Sequence, residues 1–132
     1  MVSVIIPTLN EQETIAAVVQ SAFLCDKVTE VLVIDDKSVD DTVVLAKKAG
    51  AKVFASSRLG KGASMREGIL LAKNEILLFI DGDIHPYPKN MMELLIAPII
   101  NDECDFVKSS FTRNAGRVTE LVAKPLLSIF FF

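Results

Sequence analysis

Ile76-Leu77-Leu78-Phe79-Ile80-Asp81-Gly82-Asp83 joins an unbroken apolar run to two carboxylates separated by a single glycine. An apolar run of that length, with no polar alternation, suits a strand buried on both faces. The carboxylates then fall where the strand meets solvent. Residues two apart on an extended backbone share a face, and a glycine between them lets a bulky anion approach the main chain. Such a pair can share one divalent ion. Mg²⁺ takes only one or two protein carboxylates and completes its shell with water and substrate phosphates, so a diphosphate-bearing substrate suits the triplet. A plain polar turn after a strand is the other reading.

Working outward, Val2–Ile6, Glu30–Asp35, Lys52–Ala55 and Asp105–Lys108 read as further short strands, with Ile76–Ile80 the fourth of five. Helical patterns lie between them. Asn10 with Glu13 three residues on forms a capping-box pattern, followed by an apolar stripe of Ile15, Val18, Val19 and Ala22. Asp40 or Ser38 can cap a second helix that carries Val43, Val44, Leu45 and Ala46 and stops at Gly50. A third is expected from Ala63 to Ala72 with Met65, Ile69 and Leu70 facing inward, and a fourth from Asn90 to Ile100. Strands alternating with helices predict an α/β fold, a Rossmann-like, mostly parallel sheet with helices on both faces.

Ligands in such sheets bind beyond the carboxyl ends of the strands. The polar clusters Pro7-Thr8-Leu9-Asn10-Glu11, Asp35-Asp36-Lys37-Ser38, Ser56 to Gly62 and Asp81-Gly82-Asp83 all follow strands, so they share one rim. A dinucleotide site would need Gly-x-Gly-x-x-Gly after the first strand, and that loop has no glycine. A P-loop would need a glycine where Ala55 stands and a hydroxyl where Gly62 stands. Gly60-Lys61-Gly62 still offers a pliant loop entering a helix N-terminus with one cation, either a nucleotide contact or a solvated loop.

The 132 residues are 51% hydrophobic, enough for one domain with a real core. A net charge of -3 and a pI near 5.1 leave no basic stripe, so neither nucleic acid nor an anionic membrane surface is expected as a partner. Cys25 and Cys104 lie far apart, outside any Cys-x-x-Cys spacing, and read as two buried small hydrophobes in a reducing compartment. Met1-Val2-Ser3-Val4 runs into the first strand without a basic leader, which points to the cytoplasm. The apolar ending Leu126-Leu127-Ser128-Ile129-Phe130-Phe131-Phe132 suggests the front part of something longer, or a truncated product.

Three segments, Val2-Ser3-Val4-Ile5-Ile6-Pro7-Thr8-Leu9-Asn10-Glu11, Val33-Ile34-Asp35-Asp36-Lys37-Ser38-Val39-Asp40-Asp41-Thr42 and Asp81-Gly82-Asp83, resemble the N-terminal half of GT-A fold glycosyltransferases. Phe106-Val107-Lys108-Ser109 and Gly116-Arg117-Val118-Thr119-Glu120-Leu121-Val122-Ala123-Lys124-Pro125-Leu126-Leu127 narrow this to a resemblance to the glucosyl-3-phosphoglycerate synthases, glycosyltransferase family 81. The resemblance implies a C-terminally truncated GT-A nucleotide-diphospho-sugar transferase domain over 1–132. It implies transfer of glucose from UDP-glucose to the 2-hydroxyl of 3-phosphoglycerate, with retention and with Mg²⁺ (or Mn²⁺), in a possible homodimer. Pro7, Thr8, Leu9 and Glu11 would hold the uridine, with Asp36 on the nucleoside and Lys61 on the nucleotide. Asp81, Gly82 and Asp83 would span ribose, diphosphate and metal, with Asp83 the direct ligand and catalytic residue. Gly116, Arg117 and Thr119 would bind the acceptor's phosphate.

Residue chemistry supports that last assignment, because a glycine, the free amides of a helix start, a forked guanidinium and a hydroxyl together suit a phosphate. The family's downstream histidine ligand would have no counterpart, and His85 reads as a turn residue beside the carboxylates. No general base is evident, and a front-face retaining transfer needs none. The alternatives are a family 2 glycosyltransferase with a lipid-phosphate acceptor, like dolichyl-phosphate mannose synthase, and a non-catalytic nucleotide-sugar-binding remnant.

Overall fold

Strand β1 (Val2–Thr8) is buried at every position, because it has a neighbouring strand on each side and helices on each face. A computed structural model describes residues 1–110. Its elements are β1, α1 (Ile15–Phe23), β2 (Val28–Asp35), α2 (Thr42–Lys48), β3 (Lys52–Ala55), α3 (Lys61–Leu71), β4 (Ile76–Phe79) and α4 (Met91–Ile100). The strands form one sheet in the order β3-β2-β1-β4, and every pairing is parallel. The chain therefore winds outward from β1 through β2 to β3 and then returns to the other side of β1. That reversal, between β1 and β4, is where an open α/β sheet leaves a crevice for ligands.

Period-two alternation sorts the core into two layers. Val2, Val4 and Ile6 of β1, with Val31 and Val33 of β2, face α1, α2 and α4, meeting Ile15, Val18, Val19, Ala22, Ala46, Met92 and Ile96. Ile5, Leu32 and Ile34 point the other way, with Phe54, Leu77 and Ala72 against them. At the N-terminal end of the sheet the buried Glu30 carboxylate accepts hydrogen bonds from Ser3 Oγ at 2.6 Å, the Lys73 amide at 2.6 Å and Lys52 Nζ at 3.1 Å. Burial alone would raise its pKa, but the Ser3, Lys73 and Lys52 contacts hold it below the usual carboxylate range. A carboxylate satisfied in this way locks the turn before β4 onto β2.

The parallel sheet, the helix order and both covered faces agree with the sequence reading. Several local expectations do not. On α3 the buried residues are Ser64 and Gly68, whereas Ile69 is 48% and Leu70 76% exposed, and Met65 is half-buried. The reason is distance: a Cβ on Gly68 would stand 2.4 Å from Ile5 Cγ2, so the helix approaches β1 too closely for a long side chain at that contact. Asn10 caps nothing; α1 begins at Ile15 after Thr14. Asp40 does receive the Thr42 amide at 3.0 Å at the start of α2. The strand expected at Asp105–Lys108 does not form among the described residues. β4 remains the edge of the sheet, and the segment stands away from the core, with Phe106 79% exposed. Cys25 is buried as expected, whereas Cys104 is exposed in the turn after α4, and both are free thiols. No helix among the described residues is long and apolar enough to cross a membrane.

Candidate active site

The loops after β1 and β2 are clasped together above the crevice. The Asn10 amide donates to Ser38 Oγ at 2.8 Å, and Asn10 Oδ1 accepts from the Val39 amide at 2.9 Å. The Glu11 amide donates to Thr42 Oγ1 at 2.8 Å, and the Gln12 amide to Asp40 Oδ2 at 3.3 Å. Asp35 closes the clasp from below, accepting from the Ser38 amide at 3.0 Å, from the Ser38 hydroxyl and from Thr8 Oγ1 at 3.4 Å. Asn10 and Lys37 adopt φ of 52° and 60° in these turns. Asparagine tolerates the left-handed region because its short side chain can bond locally, and here it spends that side chain on the neighbouring loop.

Beneath the clasp lies a cavity of about 470 Å³ whose walls include Pro7, Thr8, Leu9, Glu11, Asp36, Lys61, Asp81 and Asp83. The structure thus brings together every residue assigned to the donor except Gly82, which is buried behind them. A Cβ at Gly82 would stand 2.1 Å from Glu11 Oε2, so a larger residue there must displace that carboxylate. The Asp81-Gly82-Asp83 triplet is a turn rather than an extended continuation, since β4 stops at Phe79. Two hydroxyls hold that turn: Thr14 Oγ1 donates to the Gly82 carbonyl at 2.6 Å and Tyr87 Oη to the Asp81 carbonyl at 2.9 Å. Burial, with the nearby Asp81 charge, pushes the Tyr87 phenol up to about 12. Neither Thr14 nor Tyr87 carries a sequence signal for this role.

Negative charge gathers around Glu11. Burial raises the Glu11 carboxyl to about 7, helped by Asp83, Asp81 and Asp35 and only partly offset by Lys61. Lys61 itself forms an ion pair with Asp81. Asp83 is exposed and has no side-chain partner among the described residues. This donor set fits a hard divalent cation: Asp83 is free to ligate, Asp81 stands in the same cavity, and Glu11 registers the repulsion that a cation would relieve. Among the described residues no group of three or more histidine, cysteine or acidic side chains is placed to hold a metal, so phosphates and water would supply the remaining positions. His85 is an exposed loop residue outside the cavity lining. Gly116, Arg117 and Thr119 lie outside the described residues.

A pH dependence follows from Glu11. Its pKa rises from 4.5 in the unfolded chain to about 7 in the fold, so between those values the native state binds more protons than the unfolded one. The ligand-free protein is expected to lose stability as pH rises through that window. Glu11→Gln, which mimics the protonated acid, should flatten the loss. Thermal melts taken from below to above the window check this, and an unchanged slope in the variant counts against the buried acid.

A parallel sheet wound to a switch point, a clasped pair of loops and a two-carboxylate turn on one cavity are the features expected of a GT-A type glycosyltransferase domain. The chain belongs to glycosyl transferase family 2, whose family model matches residues 3–128. It is 34% identical over 155 residues to the glucosyl-3-phosphoglycerate synthase of Petrotoga mobilis, covering 98% of this chain and 48% of that protein. It also resembles a crystal structure of glucosyl-3-phosphoglycerate synthase from Mycobacterium tuberculosis in complex with Mn²⁺, UDP-glucose and phosphoglyceric acid. The TM-score is 0.90 at 36% identity, over 99% of this chain and 50% of that one. A second structure of the Mycobacterium tuberculosis enzyme, with Mg²⁺ and UDP, aligns with a TM-score of 0.88 at 36% identity, again over 99% of this chain and 50% of that one. The chain spans about half the length of the curated relatives it matches.

Proposed function

We propose that this chain is the donor-binding part of a metal-dependent glucosyltransferase that moves glucose from UDP-glucose to 3-phosphoglycerate with retention. The observation that supports the donor half most directly is a pair of orphaned carboxylate oxygens on two residues that line the cavity. Glu11 Oε2 and Asp36 Oδ1 are buried without a hydrogen-bond partner, a state that costs on the order of 1–3 kcal/mol for each group. A nucleoside supplies the missing donors, ribose hydroxyls for Glu11 and a base N–H for Asp36. Lys61 and a divalent ion on Asp83 would take the diphosphate. The ion, when bound, stabilises the charge that develops on departing UDP. The acceptor half rests on the named relatives and on Gly116, Arg117 and Thr119 as a phosphate site.

Acceptor-dependent UDP release from the 132-residue chain tests the reading, with UDP-glucose, Mg²⁺ and either D-3-phosphoglycerate or a polyprenyl phosphate supplied. Release is expected with 3-phosphoglycerate alone and is expected to disappear in Arg117→Ala. Release only with the lipid phosphate would replace the acceptor. UDP-glucose binding without release under either condition would make the chain a binding module.

A further inference from the structure

The Asp81-Gly82-Asp83 turn has little of its own to hold it. β4 ends at Phe79, and the sheet reaches one residue further through the Ile80 amide, which donates to the Ile5 carbonyl at 3.2 Å. Beyond that, among the described residues, no main-chain hydrogen bond involves Asp81, Gly82 or Asp83. Gly82, at the centre, brings no side chain to restrict the turn. The Asp83 side chain is exposed, and the Asp81 carboxylate pairs with a Lys61 that is largely exposed, a contact worth little in solvent.

Two hydroxyls remain, and they fall on consecutive peptide groups. Tyr87 Oη donates to the Asp81 carbonyl at 2.9 Å and Thr14 Oγ1 to the Gly82 carbonyl at 2.6 Å. Because each peptide group is planar, the first bond orients the link from Asp81 to Gly82 and the second the link from Gly82 to Asp83. Two oriented planes fix the Cα of Asp83 and the direction in which its side chain leaves. Both hydroxyls are themselves anchored. Thr14 stands immediately before α1, with its amide on the Glu11 carbonyl at 3.2 Å. Tyr87 lies between Pro86 and Pro88 and packs its ring against the main core cluster, as does Met91 at the start of α4.

We propose that Thr14 and Tyr87 are positioning residues for the cation: their hydroxyls aim the Asp83 carboxylate at the ion without touching metal or nucleotide themselves. This role rests on the proposed metal-dependent nucleotide-sugar reading and deepens it. A turn without the two bonds could still form, but the ion would have to order it on binding, which weakens affinity. Hydrogen bonds that hold a metal ligand in place are commonly worth about tenfold or more in metal affinity.

Calorimetric titration of UDP into the whole chain, once in EDTA and once in Mn²⁺, tests the role. Wild type should bind UDP more tightly with Mn²⁺. Thr14→Val, which keeps the shape and loses the hydroxyl, and Tyr87→Phe should each weaken UDP about tenfold in Mn²⁺ and by less than about twofold in EDTA. Thr14→Ser, which retains the hydroxyl, should bind as wild type does. Ser3→Ala takes a donor from Glu30 at the N-terminal end of the sheet; its melting temperature should fall with both UDP affinities unchanged. A Thr14 or Tyr87 variant weakened equally in both media, or in neither, overturns the role of that residue while the nucleotide site stands. Selective weakening in Mn²⁺ by Ser3→Ala as well would trace the effect to general stability and overturn the role of both. Wild type that binds UDP no better with Mn²⁺ overturns the metal reading and the positioning role together, and wild type that binds no UDP overturns the nucleotide-sugar reading itself.

Discussion

Asp83→Ala is expected to lower acceptor-dependent UDP release by about a thousandfold in kcat/KM, with the melting temperature kept within about 2 °C of wild type. The two halves of that expectation have different sources. Asp83 is exposed and has no side-chain partner among the described residues, so folding loses nothing when it goes. Its charge also adds to the repulsion on Glu11, and the ligand-free variant is relieved of it. The proposed reaction, in contrast, would lose the carboxylate proposed to carry the cation that neutralises the leaving diphosphate. Several kcal/mol of charge stabilisation at the leaving group correspond to that thousandfold. Steady-state kinetics across a Mg²⁺ series, beside a thermal melt, separate the two. Activity within tenfold of wild type would remove Asp83 from the metal site, and a collapse of the fold would make its role structural.

Gly68→Ala is expected to destabilise the fold by roughly 2 kcal/mol, or about 6 °C in melting temperature. This reverses the usual helix rule, by which alanine gains about 1 kcal/mol over glycine. The new Cβ would stand 2.4 Å from Ile5 Cγ2 and 3.3 Å from Ile5 Cδ1 and Cγ1. Ile5 cannot yield, because it is fully buried in β1, between β2 and β4. The helix must lift instead, and it carries Lys61 with it, so the KM for the donor should rise together with the loss of stability. Urea unfolding of Gly68→Ala, Ile5→Ala and the double variant isolates the cause. The double variant should be less destabilised than the sum of the two by at least about 1 kcal/mol, as neighbours that clash require. Simple additivity would place the cost elsewhere.

The architecture was legible wherever a long pattern repeated a single period. Val2 to Ile6 announces a strand covered on both faces, and Ile15, Val18, Val19 and Ala22 announce one helical stripe, whereas Ile76 to Ile80, read as a buried strand, forms the half-buried edge strand β4. Their alternation leaves few ways to wind a sheet. The residues that line the cavity were legible because parallel strands place all their C-terminal loops on one rim, so polar clusters far apart in sequence must converge. Short patterns misled where two local partners competed. Asn10 could bond along its own chain or across to Ser38 and Val39, and the loop opposite won. Met65, Ile69 and Leu70 suggested an apolar face, yet Ser64 and Gly68, four apart, mark the buried one.

By itself, then, the order of residues determined the parallel α/β sheet and the rim on which Pro7 to Glu11, Asp36, Lys61 and Asp81 to Asp83 meet. Only the tertiary structure decided how closely α3 lies on β1, that Tyr87 and Thr14 hold the Asp81 turn, and that Glu11, Asp36 and Ser64 are left with unsatisfied atoms. Periodicity is a property of neighbours along the chain. Burial, charge repulsion and a missing hydrogen-bond partner are properties of groups brought together from distant segments, and they exist only once the chain has closed around them.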